Sequence, residues 1–114
     1  GRAPAAPDPG ATLAGAIAAR IAADPGVTRV ADLAADFGIG MRRLQRLFAD
    51  YVGVGPKWVI RRARLHEAAA RAAEGADVDW VRLAADLGFT DQAHLTHAFT
   101  AIVGVPPARY AKAQ

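Results

Sequence analysis

Apolar residues along this chain recur at three- and four-residue steps and never alternate over a stretch, so each patterned segment predicts a helix. Leu13, Ile17 and Ile21 make one four-residue row, and Thr12 can cap a first helix that runs to about Asp24. Asp24-Pro25-Gly26 ends it. Val30, Leu33 and Phe37 share a face of a short helix over about 29–36, and at Gly38 the chain must turn sharply with a positive φ. Leu44, Leu47, Phe48 and Tyr51, at i, i+3, i+4 and i+7, form the core side of a helix over about 40–52. Gly53 to Pro56 break it, and Pro56 then suits the first turn of a long helix over about 56–74. That helix would be roughly 28 Å long at about 1.5 Å per residue. Asp77 or Asp79 caps a short helix with Trp80, Leu83 and Leu87 inward, and Gly88 turns the chain again. Thr90 caps the next helix, with Asp91 in its first turn and Leu95, Ala98, Phe99 and Ile102 facing the core. A last short helix starts near Pro106 and sets Tyr110 against the body. The expected fold is all-α, with about seven helices.

The second half of this pattern repeats the first. Leu33-Ala34-Ala35-Asp36-Phe37-Gly38 returns fifty positions later as Leu83-Ala84-Ala85-Asp86-Leu87-Gly88. Val52-Gly53-Val54-Gly55-Pro56 returns as Val103-Gly104-Val105-Pro106-Pro107, shifted by fifty-one. Alanine matches carry little weight in so Ala-rich a chain, but the Leu, Asp and Gly matches and the second block in near register do. A period of this size means two copies of one supersecondary unit. The expected organisation is a disordered linker over 1–10, a first helix-turn-helix subdomain over 11–55, a connecting helix over 56–74 and a second subdomain over 75–114.

Each copy has what a helix-turn-helix needs. Ala34 and Ala84 are small where the second helix crosses the first, and Gly38 and Gly88 stand four residues on, at the turn. The second helix needs one side to dock and one to enter a major groove. Opposite Leu44 lie Arg42, Gln45, Arg46 and Ala49, with Arg43 beside them. Arg can grip guanine O6 and N7, and Gln adenine N6 and N7. In the second copy the outward positions are Ala93, Thr96, His97 and Thr100, flanked by Gln92 and His94; His97 stands where Arg46 does. The first helix is therefore expected to make most phosphate and guanine contacts, and the second to read more by shape and apolar contact.

Charge sharpens this picture. The net charge is only +3, yet Arg42, Arg43, Arg46, Lys57, Arg61, Arg62, Arg64 and Arg71 cluster over 41–71, opposed only by Asp50 and Glu67. Such a stretch is the footprint of a phosphate-binding surface, although Arg also lines ordinary solvated faces. With no cysteine there is no disulfide or thiolate metal site. No apolar run is long enough to span a membrane, and no signal peptide is visible. The chain opens on glycine and is expected to be a fragment.

These residues resemble the DNA-binding domain of the AraC/XylS family of bacterial transcription regulators. The resemblance covers about residues 12–112 and rests on Leu44-Gln45-Arg46-Leu47-Phe48, on Val54-Gly55-Pro56, and above all on the run Ala84-Ala85-Asp86-Leu87-Gly88-Phe89-Thr90-Asp91-Gln92-Ala93-His94-Leu95. Phe99, Gly104, Val105, Pro106, Pro107 and Tyr110 continue it. It implies two helix-turn-helix subdomains joined by the long central helix, with recognition helices in adjacent major-groove segments about one turn, ~34 Å, apart. It assigns DNA contacts to Arg42, Gln45 and Arg46 of the first recognition helix, and to Gln92, Ala93, Thr96 and His97 of the second. Arg43 and His94 complete the candidate set. It further implies double-stranded DNA and RNA polymerase as partners, activation as the usual outcome, a cytoplasmic place at the bacterial nucleoid, and a separate effector-sensing or dimerisation domain. The sequence departs from the family at Gly40, where a Ser cap is usual, at Leu95 in place of Phe, and at Ala70–Ala73, interrupted by Arg71, in place of bulkier apolar residues.

An enzyme is not expected, and neither is a cofactor or a metal. The three histidines form no triad, and His94 and His97 at i, i+3 lack a third ligand. Gly53 and Gly55 precede a proline without the Lys-Ser/Thr of a phosphate loop. The competing reading is a helical protein-interaction module that uses Trp58 and Trp80 as anchors.

Overall fold

A computed structural model describes residues 8–105. These form six helices: α1 Pro9–Ala23, α2 Val30–Asp36, α3 Met41–Tyr51, α4 Pro56–Ala73, α5 Trp80–Asp86 and α6 Gln92–Val103. No strand occurs among the described residues, so the class is all-α. The helix expected from Pro106, with Tyr110, lies outside them, as do residues 1–7 of the expected linker. The chain divides into two compact units, residues 1–59 and 60–114, with the division inside α4.

In the first unit α3 packs against α1 and α2. Ala14, Ile17, Ile21, Val27, Leu33, Ala34, Leu44, Leu47 and Phe48 are buried there, while Leu13, Val30 and Phe37 are half-buried. α1 starts earlier than the Thr12 cap predicts. The Asp8 carboxylate accepts from the Gly10 and Ala11 N–H groups at 2.9 and 3.4 Å, and Pro9 takes the first turn. A carboxylate cap followed by Pro is a stronger start signal than Thr12, which is left exposed inside the helix. Tyr51 also departs from expectation: it is 45% exposed rather than part of the core. Its hydroxyl donates to Asp8 Oδ2 at 2.7 Å, and its ring lies so close to Gly10 that a Cβ there would meet it at 2.9 Å.

The Tyr51 hydroxyl, together with the Gly10 and Ala11 N–H groups, holds the Asp8 carboxyl below the ordinary carboxylate value. A carboxyl depressed on folding contributes stability that is present above its unfolded pKa, about 3.9, and is lost as pH falls through the folded one. Acidification from about pH 5 downward should therefore release the start of α1. The Gly10 and Ala11 amide resonances should move with Asp8 protonation, and Asp8→Asn should abolish the movement. Resonances that hold still across the titration would rule the cap out.

The two turns carry the repeat. After α2, Gly38 N–H donates to Ala35 C=O at 3.1 Å and Ile39 N–H to Ala34 C=O at 3.0 Å. After α5, Gly88 N–H donates to Ala85 C=O at 3.1 Å and Phe89 N–H to Ala84 C=O at 2.9 Å. Both are Schellman ends, which need a left-handed residue just past the cap. Gly38 and Gly88 supply it, at φ 64° and 74°. The turns differ in length: residues 37–40 separate α2 from α3, whereas residues 87–91 separate α5 from α6. That one inserted residue is why the early block repeats at fifty and the late block at fifty-one. It also places Leu44 on Leu95, Phe48 on Phe99 and Arg46 on His97.

In the second unit α5 packs against α6, and Trp80 meets Phe99 edge to face, ring centres 5.3 Å apart. Ile60, Leu65, Ala68, Ala69, Ala72, Ala84, Leu87, Phe89, Leu95 and Phe99 are buried; Trp80, Leu83, Ala98 and Ile102 are half-buried. Asp79 caps α5 by accepting from Arg82 N–H at 3.0 Å. The cap of α6 is Asp91 rather than Thr90: its carboxylate accepts from His94 N–H at 2.8 Å. The inserted turn residue moves the helix start one position on. Within the departing stretch 70–73, Ala70 and Ala73 face solvent, so only Ala72 of that stretch forgoes core volume.

Candidate nucleic-acid interface

α3 has two chemically distinct sides. Leu44, Leu47 and Phe48 are buried, while Arg42, Arg43, Gln45, Arg46 and Ala49 are exposed. Among the described residues, none of the three arginines forms an ion pair. Arg42 and Arg46 lie at i, i+4 on one face, where like charges destabilise a helix by about 0.2–0.5 kcal/mol. Gly40 caps α3 with no side-chain acceptor, so its first N–H groups gain nothing there.

α6 presents a different surface. Gln92, Ala93, His94, His97 and Thr100 are exposed, and Thr96 is half-buried. Its N-terminus is closed by the Asp91 carboxylate, which disfavours a phosphate at that end. His94 is folded back on the turn: Thr90 N–H donates to its Nδ1 at 3.3 Å, and its ring stands edge-on to Phe89, centres 4.9 Å apart.

The basic stretch of α4 is not a single surface. Arg64 is 3% exposed and pairs with Glu67 at 3.0 Å. Arg61 is half-buried and binds the Leu87 and Gly88 carbonyls. Both are thereby withdrawn from the expected phosphate-binding surface, whereas Lys57, Arg62 and Arg71 are exposed. The signal for Arg64 was present in the pattern: Ile60, Arg64, Ala68 and Ala72 form one four-residue row, all buried. Arg61 offered no such signal, since its partners lie twenty-six and twenty-seven residues away. His66 is exposed and Glu67 is half-buried.

The sequence profile described as Helix-turn-helix domain, an AraC-type profile, matches residues 33–113. The chain belongs to the AraC-type helix-turn-helix family. It is a DNA-binding transcription-regulator domain of that family. The AraC-type match contains both Schellman turns and both polar helix faces. Among solved structures, the domain is similar to the C-terminal domain of AraT, a response regulator from Geobacillus stearothermophilus. The TM-score is 0.61 at 18% identity, over 94% of this chain and 87% of that one, a likeness of fold. No match is found among curated proteins. Among the described residues of this AraC-type domain, no three His, Asp or Glu side chains are placed to hold a metal ion, and no helix is long and apolar enough to cross a membrane.

Proposed function

We propose that this AraC-type domain binds specific double-stranded DNA by laying the outward faces of α3 and α6 into adjacent major-groove segments. The observation that supports this most is the exposed set Arg42, Arg43, Gln45 and Arg46 on α3, opposite the buried Leu44, Leu47 and Phe48. Three guanidinium groups without ion pairs among the described residues repel one another on one helix face, and phosphates and guanine edges would offset that cost. α6 contributes through Gln92, Ala93, His94, Thr96 and His97, with less charge and with a carboxylate at its start. In this reading the domain acts at the bacterial nucleoid as part of an activator. It works with RNA polymerase and with an effector-sensing or dimerisation domain elsewhere in the protein.

Salt titration of duplex binding tests the proposal against the protein-interaction reading. Each neutralised phosphate contributes about −0.9 to the slope of log affinity against log salt, so three contacts imply roughly a fortyfold loss between about 50 and 200 mM. A flat response, or no binding at low salt, would favour the interaction module instead. Selection from random duplexes should return two short elements with centres about 10 base pairs apart.

A further inference from the structure

We infer that Arg61 is the positioning residue of the second recognition helix, and that it acts through Phe89 and His94. The functional part of this inference rests on the proposed reading that α6 faces DNA; the structural part does not.

The contacts run outward from α4. Arg61 Nε and Nη2 both donate to Leu87 C=O, at 3.2 and 3.1 Å, and Nη2 also donates to Gly88 C=O at 3.2 Å. These carbonyls sit at the C-terminal end of α5, where helix carbonyls lack intrahelical donors and a cation is favoured. Burial lowers the Arg61 pKa from its ordinary value, a sign that the guanidinium is partly desolvated where it makes these bonds. The same guanidinium lies 4.0 Å from the centre of the Phe89 ring, which is 7% exposed. Phe89 in turn meets the His94 ring at 85°. His94 receives the Thr90 N–H on Nδ1, and its backbone N–H donates to the Asp91 carboxylate.

Two consequences follow for α6. Its first turn is pinned by a continuous stack that begins on a different helix, so the stack sets where the outward face stands. Thr90 Oγ1 also lies 3.4 Å from Nδ1. With Nδ1 accepting from the Thr90 N–H and hydroxyl, a neutral imidazole carries its proton on Nε2, so exposed His94 would offer that one N–H donor to an oxygen of the duplex. The first unit cannot build this device. Ile39 stands at the place of Phe89 and Arg43 at that of His94, so α3 reads with unpinned guanidinium groups.

The test has two arms. In the free chain at about pH 8, where an ordinary imidazole is neutral, ring nitrogen shifts should show His94 as the Nε2–H tautomer. Arg61→Gln should turn this into a mixture, and Arg61→Lys should recover part of it. In the binding arm, Arg61→Gln should weaken a duplex carrying both elements about tenfold, the scale of one loosened hydrogen bond. It should leave unchanged the affinity for a duplex whose second element is scrambled, and His94→Ala added to Arg61→Gln should cost little more. An unaltered His94 tautomer, or equal losses on both duplexes, overturns the inference. If circular dichroism shows that Arg61→Gln unfolds the second unit, Arg61→Lys takes its place in both arms, and the same two outcomes decide. Absence of duplex binding by the unsubstituted chain would overturn the proposed function, while the tautomer arm still decides the stack.

Discussion

Arg46→Ala is expected to weaken the preferred duplex by about tenfold to a hundredfold, and His97→Ala by less than about tenfold. The two residues occupy equivalent places, fifty-one positions apart, on α3 and α6, and both are exposed. Their chemistry separates them. A guanidinium that grips guanine O6 and N7 bidentately is worth about 1–3 kcal/mol of discrimination. An imidazole making a single hydrogen bond is worth about 0.5–1.5 kcal/mol, and about 1.4 kcal/mol is tenfold in affinity. Fluorescence anisotropy on a selected duplex gives the comparison, and equal losses would refute the division of labour between the helices. Repeating the titration across salt separates two roles for Arg46. Loss of a phosphate contact reduces the salt slope by about 0.9, whereas loss of a base contact leaves the slope and relaxes the preference at one base pair.

Phe48→Ala should remove about 3–5 kcal/mol of folding stability, read as a lowered urea midpoint. Phe48 is fully buried in the first unit, where α3 docks on α1 and α2. Such a loss is a large share of the roughly 5–15 kcal/mol available to a domain. It should also weaken duplex binding, because the outward arginines of α3 are aimed only while the opposite side is seated. Tyr51→Phe, one turn further along α3, removes a hydroxyl from an exposed ring and should shift the midpoint far less. A loss below about 1 kcal/mol for Phe48→Ala would contradict its place in the core.

The helices were legible because each is an amphipathic segment closed by a local signal. Pro25-Gly26, Gly38, Gly53 and Gly88 all end or turn helices near where the pattern puts them. The caps were less legible. Thr12 and Thr90 are acceptable cap residues, but Asp8 and Asp91 hold the positions, because a carboxylate that reaches the first free N–H groups outcompetes a nearby hydroxyl. Tyr51 fits the apolar row of α3, yet it lies at the end of that row, where its hydroxyl finds Asp8 forty-three residues earlier.

Local pattern thus settled the all-α class, the doubled unit and the polar faces of α3 and α6, since helix periodicity and glycine turns act over a few residues. Arg64 already stood in the buried row of Ile60, Ala68 and Ala72, but the place of Arg61 was left to packing. Arg61 and Arg64 read as members of one basic stretch with Arg62 and Arg71, and a charge count cannot tell them apart. Folding sends one guanidinium to the carbonyls of a distant turn and the other into a buried row beside Glu67, while Arg62 and Arg71 remain exposed. The reason is physical: a long cationic side chain goes where carbonyls or a carboxylate repay its desolvation, and while Glu67 lies only three residues from Arg64, the carbonyls that hold Arg61 are brought near only when helices far apart along the chain come together.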